Sequence, residues 1–157
     1  MLNLGRFALL LASAALLAGC SSRPKDTLPD VKLETLSARK ADSLASCPTP
    51  KCLTVYVAPW CGYCRAASPL ILALRDYLKE HGVSTRIIVG MSDEGQVRRY
   101  AKFFGPETML DPSGRYNSGG VPHFIVSNKD GRILRDVPGL PMGIESVPQF
   151  ASYYDLP

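Results

Sequence analysis

Cysteines in the first half of the chain have the residue type and spacing for sulfur chemistry. Cys61 and Cys64 form a CxxC pair in the stretch APWCGYCR, and Cys47 and Cys52 lie just before them in SCPTPKC. A closely spaced pair of cysteines can bind a metal ion, close a structural disulfide or exchange electrons with other thiols. The surrounding sequence therefore has to distinguish these three uses.

A single tetrahedral zinc site that uses these four cysteines is incompatible with the segment between them. The run CLTVYVAP is rich in β-branched and aromatic residues, which predicts a buried strand between Cys52 and Cys61. Six residues of strand at about 3.3 Å each would keep its two ends roughly 20 Å apart. A Cu(I) site formed by Cys61 and Cys64 alone remains an alternative. Otherwise we expect neither a metal nor a cofactor.

The elements around the CxxC pair predict a right-handed βαβ unit. Apolar residues recur at helical spacing from Cys61 to about Glu80, and TRIIVGM then predicts a second buried strand. Cys61 would begin the helix, where free N–H groups and the helix dipole stabilise a thiolate and lower the thiol pKa. Cys64, one turn further on, would be shielded but able to attack Cys61 and release a bound substrate.

The rest of the chain predicts further strands and helices. VKLETLS predicts a short N-terminal strand, and a second helix is expected to start near Ser92 and end at Gly105. The run VPHFIVSNKDGRILRDV predicts a hairpin that turns at NKDG, and an amphipathic helix through Val147 and Tyr154 closes the chain. This order of elements predicts a single α/β domain.

The N-terminal segment predicts export and lipid attachment. Arg6 precedes an apolar run that is too short to cross a bilayer, which is typical of a signal peptide over residues 1–19. The stretch LAGC, which ends at Cys20, resembles the bacterial lipobox, in which the cysteine is lipidated and becomes the new N-terminus. Residues 20–30 would then form a polar tether, and residues 31–157 would form the folded domain.

Export would determine how the other cysteines are used. Ser21 and Ser22 match the pattern that directs bacterial lipoproteins to the outer membrane, so we expect a periplasm-facing protein anchored there; the inner membrane is the less favoured alternative. Disulfides persist in that compartment, and the four cysteines that follow Cys20 are enough for two of them. Cys47 and Cys52 fit a structural disulfide, and a second redox centre is the alternative.

Several motifs resemble the thioredoxin superfamily. APWCGYC resembles its active-site signature, Pro69 matches the proline of its kinked helix, and GGVPHF resembles its cis-proline loop. The segments LPDVKLETL, WCGYCRAASPL, LDPSGRYNSGGVP and FIVSNKDGRIL together resemble the TlpA/ResA-like thioredoxins over nearly all of the predicted domain. The resemblance implies a thioredoxin fold, with a central mixed sheet flanked by helices and an N-terminal β extension.

The resemblance also implies roles for residues around the CxxC pair. It makes Cys61 the attacking cysteine and Cys64 the resolving cysteine in thiol–disulfide exchange. The residues expected to contact substrate are Trp60, Gly62, Tyr63, Val121, Pro122 and His123. His123 could also tune the thiolate or carry a proton, and the plainer interpretation is a partly exposed strand residue.

The sequence departs from this family at three places. Gly62 and Tyr63 replace the usual intervening proline, as in bacterial disulfide isomerases. Val55 stands where thioredoxin has a buried carboxylate, and Ala67 stands where many TlpA-like reductases have a glutamate. A carboxylate at that position would help to move the proton of the buried thiol, so its replacement leaves that proton to water or a partner.

The sequence as a whole predicts a lipid-anchored periplasmic thiol–disulfide oxidoreductase. The expected partners are protein thiols and disulfides and a membrane redox partner, and we expect a monomer. The net charge is +4, and the Lys and Arg residues are scattered, which argues against a nucleic-acid surface. The alternatives are a thioredoxin-like Cu(I) metallochaperone and a structural lipoprotein whose CxxC disulfide is permanent.

Overall fold

The computed structural model describes residues 26–116 and 119–157, which form a six-stranded mixed sheet and three helices. In chain order the elements are β1 Glu34–Thr35, β2 Lys51–Val57, α1 Gly62–Glu80, β3 Ser84–Gly90, α2 Glu94–Ala101, β4 Met109–Asp111, β5 His123–Asn128, β6 Ile133–Pro138 and α3 Val147–Tyr153. The predicted signal peptide, Cys20 and the first half of the predicted tether lie outside the described residues.

The sheet has the strand order β1-β4-β3-β2-β5-β6. Strand β3 runs parallel to β2 and β4, whereas β5 runs antiparallel to β2 and β6, and β1 runs antiparallel to β4. The predicted βαβ unit is thus β2–α1–β3, and the predicted hairpin is β5–β6. The expected mixed sheet flanked by helices, with an N-terminal β extension at its edge, is confirmed.

Helix α1 packs one face on the sheet because small and apolar side chains recur at helical spacing along it. The buried residues of that face are Cys64, Ala67, Ser68, Ile71, Leu74 and Leu78. Pro69 lies inside the helix, as the sequence predicts. The helix ends at Glu80, and Gly82 follows with φ +72°, a backbone conformation that glycine adopts without steric cost.

The two faces of the sheet are covered by different parts of the chain. Side chains alternate along β2, so that Val55 and Val57 face a cluster built with the helices, while Tyr56 faces the opposite cluster. The N-terminal segment supplies Leu28, Leu33 and Leu44 to that second cluster. Strand β2 is therefore buried on both faces, and this packing fixes the position of the CxxC pair that follows it.

Three elements differ from the sequence prediction. The N-terminal strand β1 has only two residues, and α2 ends at Ala101 rather than near Gly105. Strand β4, with three residues, was not predicted, since its pairing with β1 and β3 joins segments that are far apart in sequence. Among the described residues, no helix has the length and apolar character needed to span a bilayer.

Candidate active site

Cys61 lies at the junction of β2 and α1, where it caps the helix. Residues 58–60 turn the chain after β2, and the Cys61 N–H donates to the carbonyl of Ala58 at 3.1 Å. The backbone of Cys61 is extended, and its Sγ accepts the N–H of Cys64 at 3.0 Å. Cys61 is therefore placed as predicted, with its sulfur at the positive end of the helix dipole.

Cys61 and Cys64 form a disulfide in this structure, with their Cα atoms 5.2 Å apart. Cys61 is 5% exposed, whereas Cys64, in the first turn of α1, is fully buried. An incoming sulfur would therefore reach Cys61 before Cys64. This asymmetry matches the attacking and resolving roles that the sequence suggests.

The loop before β5 brings a second backbone segment to Cys61. The peptide bond between Val121 and Pro122 is cis, and the carbonyl oxygen of Val121 lies 3.6 Å from Cys61 Sγ. The N–H of Gly139 donates to the carbonyl of Pro122 at 2.7 Å, which ties this loop to the end of β6. The structure thus brings Val121 and Pro122 to the CxxC pair.

Two exposed aromatic side chains flank the cysteines. Trp60 is 55% exposed and Tyr63 is 78% exposed. The indole N–H of Trp60 donates to the carbonyl of Met91 at 2.7 Å, and the Met91 backbone has φ +59°. A Cβ at Gly62 would meet no atom within 4 Å beyond its chain neighbours and its own helix backbone, so the surface at Gly62 is open. Trp60, Gly62 and Tyr63 are all available to a substrate.

His123 does not lie with these residues, and the predicted substrate contact needs correction. Its side chain is buried, its Nε2 pairs with the carboxylate of Asp136, and its buried Nδ1 has no hydrogen-bond partner among the described residues. Alternation along β5 turns His123 to the face of Ile125, away from the face that packs on α1. It is therefore not a partly exposed strand residue either.

The second cysteine pair lies at the other end of β2. Cys47 and Cys52 form a disulfide in this structure, with their Cα atoms 5.8 Å apart. The hydroxyl of Thr49 lies between them in sequence; it donates to the carbonyl of Lys51 at 2.6 Å and accepts the N–H of Ser84 at 3.0 Å. The length of β2 separates this pair from the CxxC pair, as the sequence predicts.

A pair of hydroxyl groups next to the backbone of Cys64 was not predicted from the sequence. The Ser68 hydroxyl donates to the carbonyl of Cys64 at 2.9 Å and lies 2.8 Å from the hydroxyl of Tyr100, on α2. Burial raises the pKa of Tyr100, while the Ser68 hydroxyl and the nearby charge of Arg65 oppose the rise. The spacing of Ser68 four residues after Cys64 was the available signal, but the contact with Tyr100 depends on tertiary packing.

The reduced CxxC pair would offer two thiolates to a soft metal ion such as Cu(I). Within residues 26–116 and 119–157, no cluster of three or more His, Cys, Asp or Glu side chains could hold a metal ion. The two sulfur atoms are thus the only such donors that the described part of the chain brings to this site.

Comparison with known proteins identifies similar folds. No family model matches the chain, and no curated protein matches it. Solved structures do match. One is a secreted Mycobacterium tuberculosis disulfide oxidoreductase homologous to E. coli DsbE, with a TM-score of 0.59 and 20% identity over 78% of this chain and 96% of that one.

Two further structures come from other bacteria. The exposed lipoprotein thioredoxin Etrx1 of Streptococcus pneumoniae matches with a TM-score of 0.60 and 18% identity, over 81% of this chain and 98% of that one. StoA of Bacillus subtilis matches with a TM-score of 0.59 and 18% identity, over 80% of this chain and 99% of that one. Similarity at these identities establishes architecture, and the architecture of this chain is the thioredoxin fold.

Proposed function

We propose that the chain is a thiol–disulfide oxidoreductase that exchanges its Cys61–Cys64 pair with protein thiols and disulfides. The observation that carries this proposal is the N-cap of α1, where Cys61 Sγ receives the N–H of Cys64 at 3.0 Å. A sulfur in that position is stabilised as a thiolate once the pair is reduced. The fold shared with solved structures of disulfide oxidoreductases supports the same conclusion.

The exchange proceeds through a mixed disulfide. In the reducing direction, the Cys61 thiolate attacks one sulfur of a substrate disulfide, and the other substrate sulfur leaves as a thiolate. Cys64 then loses its proton and attacks Cys61 Sγ, which breaks the bond to the substrate and forms the Cys61–Cys64 disulfide. Two electrons pass to the substrate, and the oxidising direction reverses each step.

Substrate binds across the surface around Cys61. The exposed rings of Trp60 and Tyr63, which lie on either side of Cys61 and Gly62 in the sequence, supply apolar area, and the surface at Gly62 is open. The carbonyl oxygen of Val121 lies 3.6 Å from the sulfur, so the backbone at Val121 and Pro122 borders an extended substrate segment. Because these contacts use backbone and aromatic rings, they favour unfolded or flexible protein segments over one defined sequence.

The N-terminal sequence supports a tethered protein. Residues 1–19 act as a signal peptide, lipidated Cys20 anchors the chain in the outer membrane, and residues 20–30 link it to the domain over 31–157. The exposed lipoprotein among the similar structures supports export and anchoring. The domain then works as a monomer in the periplasm and exchanges electrons with a membrane redox partner, while Cys47–Cys52 serves as a structural disulfide.

The test of the activity is the capture of the mixed disulfide. In Cys64→Ser the resolving thiol is lost, so Cys61 should retain a substrate thiol. We would treat the reduced full chain, in detergent, with oxidised glutathione and locate the adduct by peptide mass. The expected result is one glutathione on the peptide that contains Cys61, which is released by dithiothreitol.

Two matched variants complete this test. Cys61→Ser should take up little glutathione, because Cys64 is fully buried. A Cys47→Ser, Cys52→Ser protein should form the Cys61–Cys64 disulfide as the wild type does. An equal adduct on Cys64 in Cys61→Ser would reverse the proposed roles, and no adduct in either CxxC variant would contradict an exchange activity.

A further inference from the structure

A buried pair of side chains, Tyr56 and Asp111, is connected by hydrogen bonds with Trp60 at the candidate active site. The Tyr56 hydroxyl, on β2, donates at 2.8 Å to the Oδ2 atom of Asp111, the last residue of β4. Tyr56 is fully buried, and Asp111 is 2% exposed. Burial, together with the bond to Asp111 and its charge, raises the pKa of Tyr56, so the phenol keeps its proton and donates it to the carboxylate.

The carboxylate of Asp111 also fixes the turn that follows β4. Its Oδ1 accepts the N–H of Arg115 at 3.0 Å, and its Oδ2 accepts the N–H of Tyr116 at 2.8 Å. With the Tyr56 hydroxyl, three donors therefore converge on two oxygens of a buried residue. Hydrogen bonds to a charged acceptor are stronger than those between neutral groups, so these three bonds hold Asp111 in one position.

The backbone of Asp111 holds the loop that begins after β3. Its carbonyl accepts the N–H of Met91 at 3.2 Å and the N–H of Gly114 at 3.0 Å. The Met91 backbone has φ +59°, in the left-handed region, which is unfavourable for a residue with a side chain. The bond to Asp111, and the packing of the Met91 side chain against both core clusters, keep the loop in this conformation.

Met91 in turn holds the indole ring of Trp60. The Met91 carbonyl accepts the indole N–H at 2.7 Å, and an indole has only this one donor. Trp60 directly precedes Cys61, and its side chain is 55% exposed. Met91 is thus bonded to Asp111 through its N–H and to Trp60 through its carbonyl, which links a buried residue to an exposed ring at the CxxC pair.

Gly90 provides the space that this arrangement needs. A Cβ atom at Gly90 would lie 2.1 Å from the Tyr56 hydroxyl oxygen and 2.6 Å from the carbonyl oxygen of Asp111. Both distances are shorter than van der Waals contact, so any larger residue would displace one of these groups. The close approach of Tyr56 to Asp111 therefore depends on a glycine at the end of β3.

We propose that Asp111 and Tyr56 are positioning residues for Trp60: they fix Met91, which holds the indole where a protein substrate binds. The proposal rests on the exchange activity proposed above, in which Trp60 contacts substrate. A ring that is already ordered loses less conformational freedom when substrate binds. Asp111 and Tyr56 should therefore affect the binding of substrate rather than the chemistry of the sulfur atoms.

The first readout is the motion of Trp60, the only tryptophan of the chain, in the reduced full-length protein in detergent. Time-resolved fluorescence anisotropy compares the wild type with Tyr56→Phe and Asp111→Asn. Asparagine has one acceptor oxygen where aspartate has two, so at least one of the three donors loses its usual acceptor. In both variants the subnanosecond loss of anisotropy should be at least about twofold larger than in the wild type.

Tyr154→Phe is the matched control for Tyr56→Phe. Tyr154 is also fully buried, and its hydroxyl has no hydrogen-bond partner among the described residues. This variant should leave the anisotropy of Trp60 unchanged. An equal effect in Tyr154→Phe would indicate a general loosening of the core and would contradict the proposal. If Asp111→Asn does not fold, Tyr56→Phe and its control decide the result.

The second readout is the steady-state reduction of a peptide disulfide. Asp111→Asn should raise KM by about threefold, the rise expected of Trp60→Phe, and should change kcat by less than about twofold. In a Trp60→Phe background, Asp111→Asn should raise KM no further, because the indole through which Asp111 acts is absent. Increases in KM that multiply in the double variant would overturn the proposal.

The two readouts separate this proposal from the exchange activity. If the anisotropy of Trp60 is the same in the wild type, Tyr56→Phe and Asp111→Asn, the positioning is wrong, while the exchange activity stands. If the wild type does not reduce the peptide, the exchange activity fails, and the anisotropy still decides whether Asp111 and Tyr56 position the ring.

Discussion

The two disulfides lie at opposite ends of β2, and the comparison between them shows what makes a cysteine pair reactive. Exposure does not separate them, since Cys47 is 8% exposed, Cys61 is 5% exposed, and Cys52 and Cys64 are both fully buried. The difference lies in the backbone. Cys61 caps a 19-residue helix and receives an N–H from its first turn.

The Cys47–Cys52 pair has no comparable backbone environment. Its short loop contains Pro48 and Pro50, and proline has no N–H with which to stabilise a thiolate. The Thr49 hydroxyl donates to the carbonyl of Lys51 and lies 3.5 Å from Cys47 Sγ and 3.9 Å from Cys52 Sγ, so these sulfurs have a side-chain contact where Cys61 receives a backbone N–H. We therefore expect the same bond type to be an exchangeable couple at one end of β2 and a structural link at the other.

The largest expected difference is in exchange activity. Cys61→Ser should reduce the rate of protein disulfide exchange by about three orders of magnitude or more, because the attacking thiolate is lost. Cys47→Ser combined with Cys52→Ser should change that rate by less than about twofold, since these sites are distant. Reduction of a protein disulfide, followed by turbidity or a fluorescent label, measures both. Comparable losses of exchange rate in the two proteins would show that the two cysteine pairs do not differ in exchange activity.

The reactivity of the reduced thiols should differ next. Since the N-terminus of α1 favours a negative charge on Cys61 Sγ, alkylation of Cys61 by iodoacetamide near pH 6 should be at least about tenfold faster than that of Cys47. Peptide mass analysis after timed labelling of the fully reduced, folded protein gives both rates. Equal rates at every pH would show that the helix terminus does not activate Cys61.

Stability should show the reverse pattern. Loss of the Cys47–Cys52 bond in the double serine variant should lower the free energy of unfolding by about 2 kcal/mol, mainly because the unfolded chain gains freedom. Reduction of Cys61–Cys64 should cost less, since the stabilised thiolate favours the folded reduced protein. Guanidinium unfolding of the two forms checks this order. A larger loss on reduction of the CxxC pair would contradict it.

The smallest effects should come from the residues that organise each pair. Thr49→Val removes two backbone hydrogen bonds and should lower stability by about 1 kcal/mol without changing exchange kinetics.

Trp60→Phe removes the bond to Met91 at an exposed position, so stability should change by less than about 0.5 kcal/mol. Its KM for a peptide disulfide should rise by about threefold. Calorimetry and steady-state kinetics on both variants measure these changes. A KM rise in Thr49→Val, or a stability loss of about 1 kcal/mol in Trp60→Phe, would contradict the two assignments.

The sequence was sufficient to predict the framework of the site. The β2–α1–β3 unit follows from apolar periodicity, and the CxxC motif at its first junction predicts a cysteine at a helix N-terminus. These signals are local, because each depends on residues within one element or on two adjacent elements. The placement of Cys61 and Cys64 could therefore be predicted before the structure was known.

The features that were missed depend on contacts between distant parts of the chain. Strand β4 is only three residues long and is defined by its neighbours, so its sequence has no periodic signal. The pairing of His123 with Asp136 depends on the register of the hairpin, which shifts between Val126 and Ser127. The Ser68–Tyr100 contact likewise requires the packing of two helices, which apolar periodicity does not specify.

The reduction potential of the Cys61–Cys64 couple tests the central claim most directly. We would equilibrate the folded Cys47→Ser, Cys52→Ser protein with glutathione buffers and follow Trp60, the only tryptophan of the chain. We predict reversible equilibration at about −120 to −270 mV, where the upper part of this range indicates a disulfide donor or isomerase and the lower end a reductant. A pair that does not equilibrate while the protein is folded, or a potential below about −300 mV, would contradict the claim and indicate a structural disulfide.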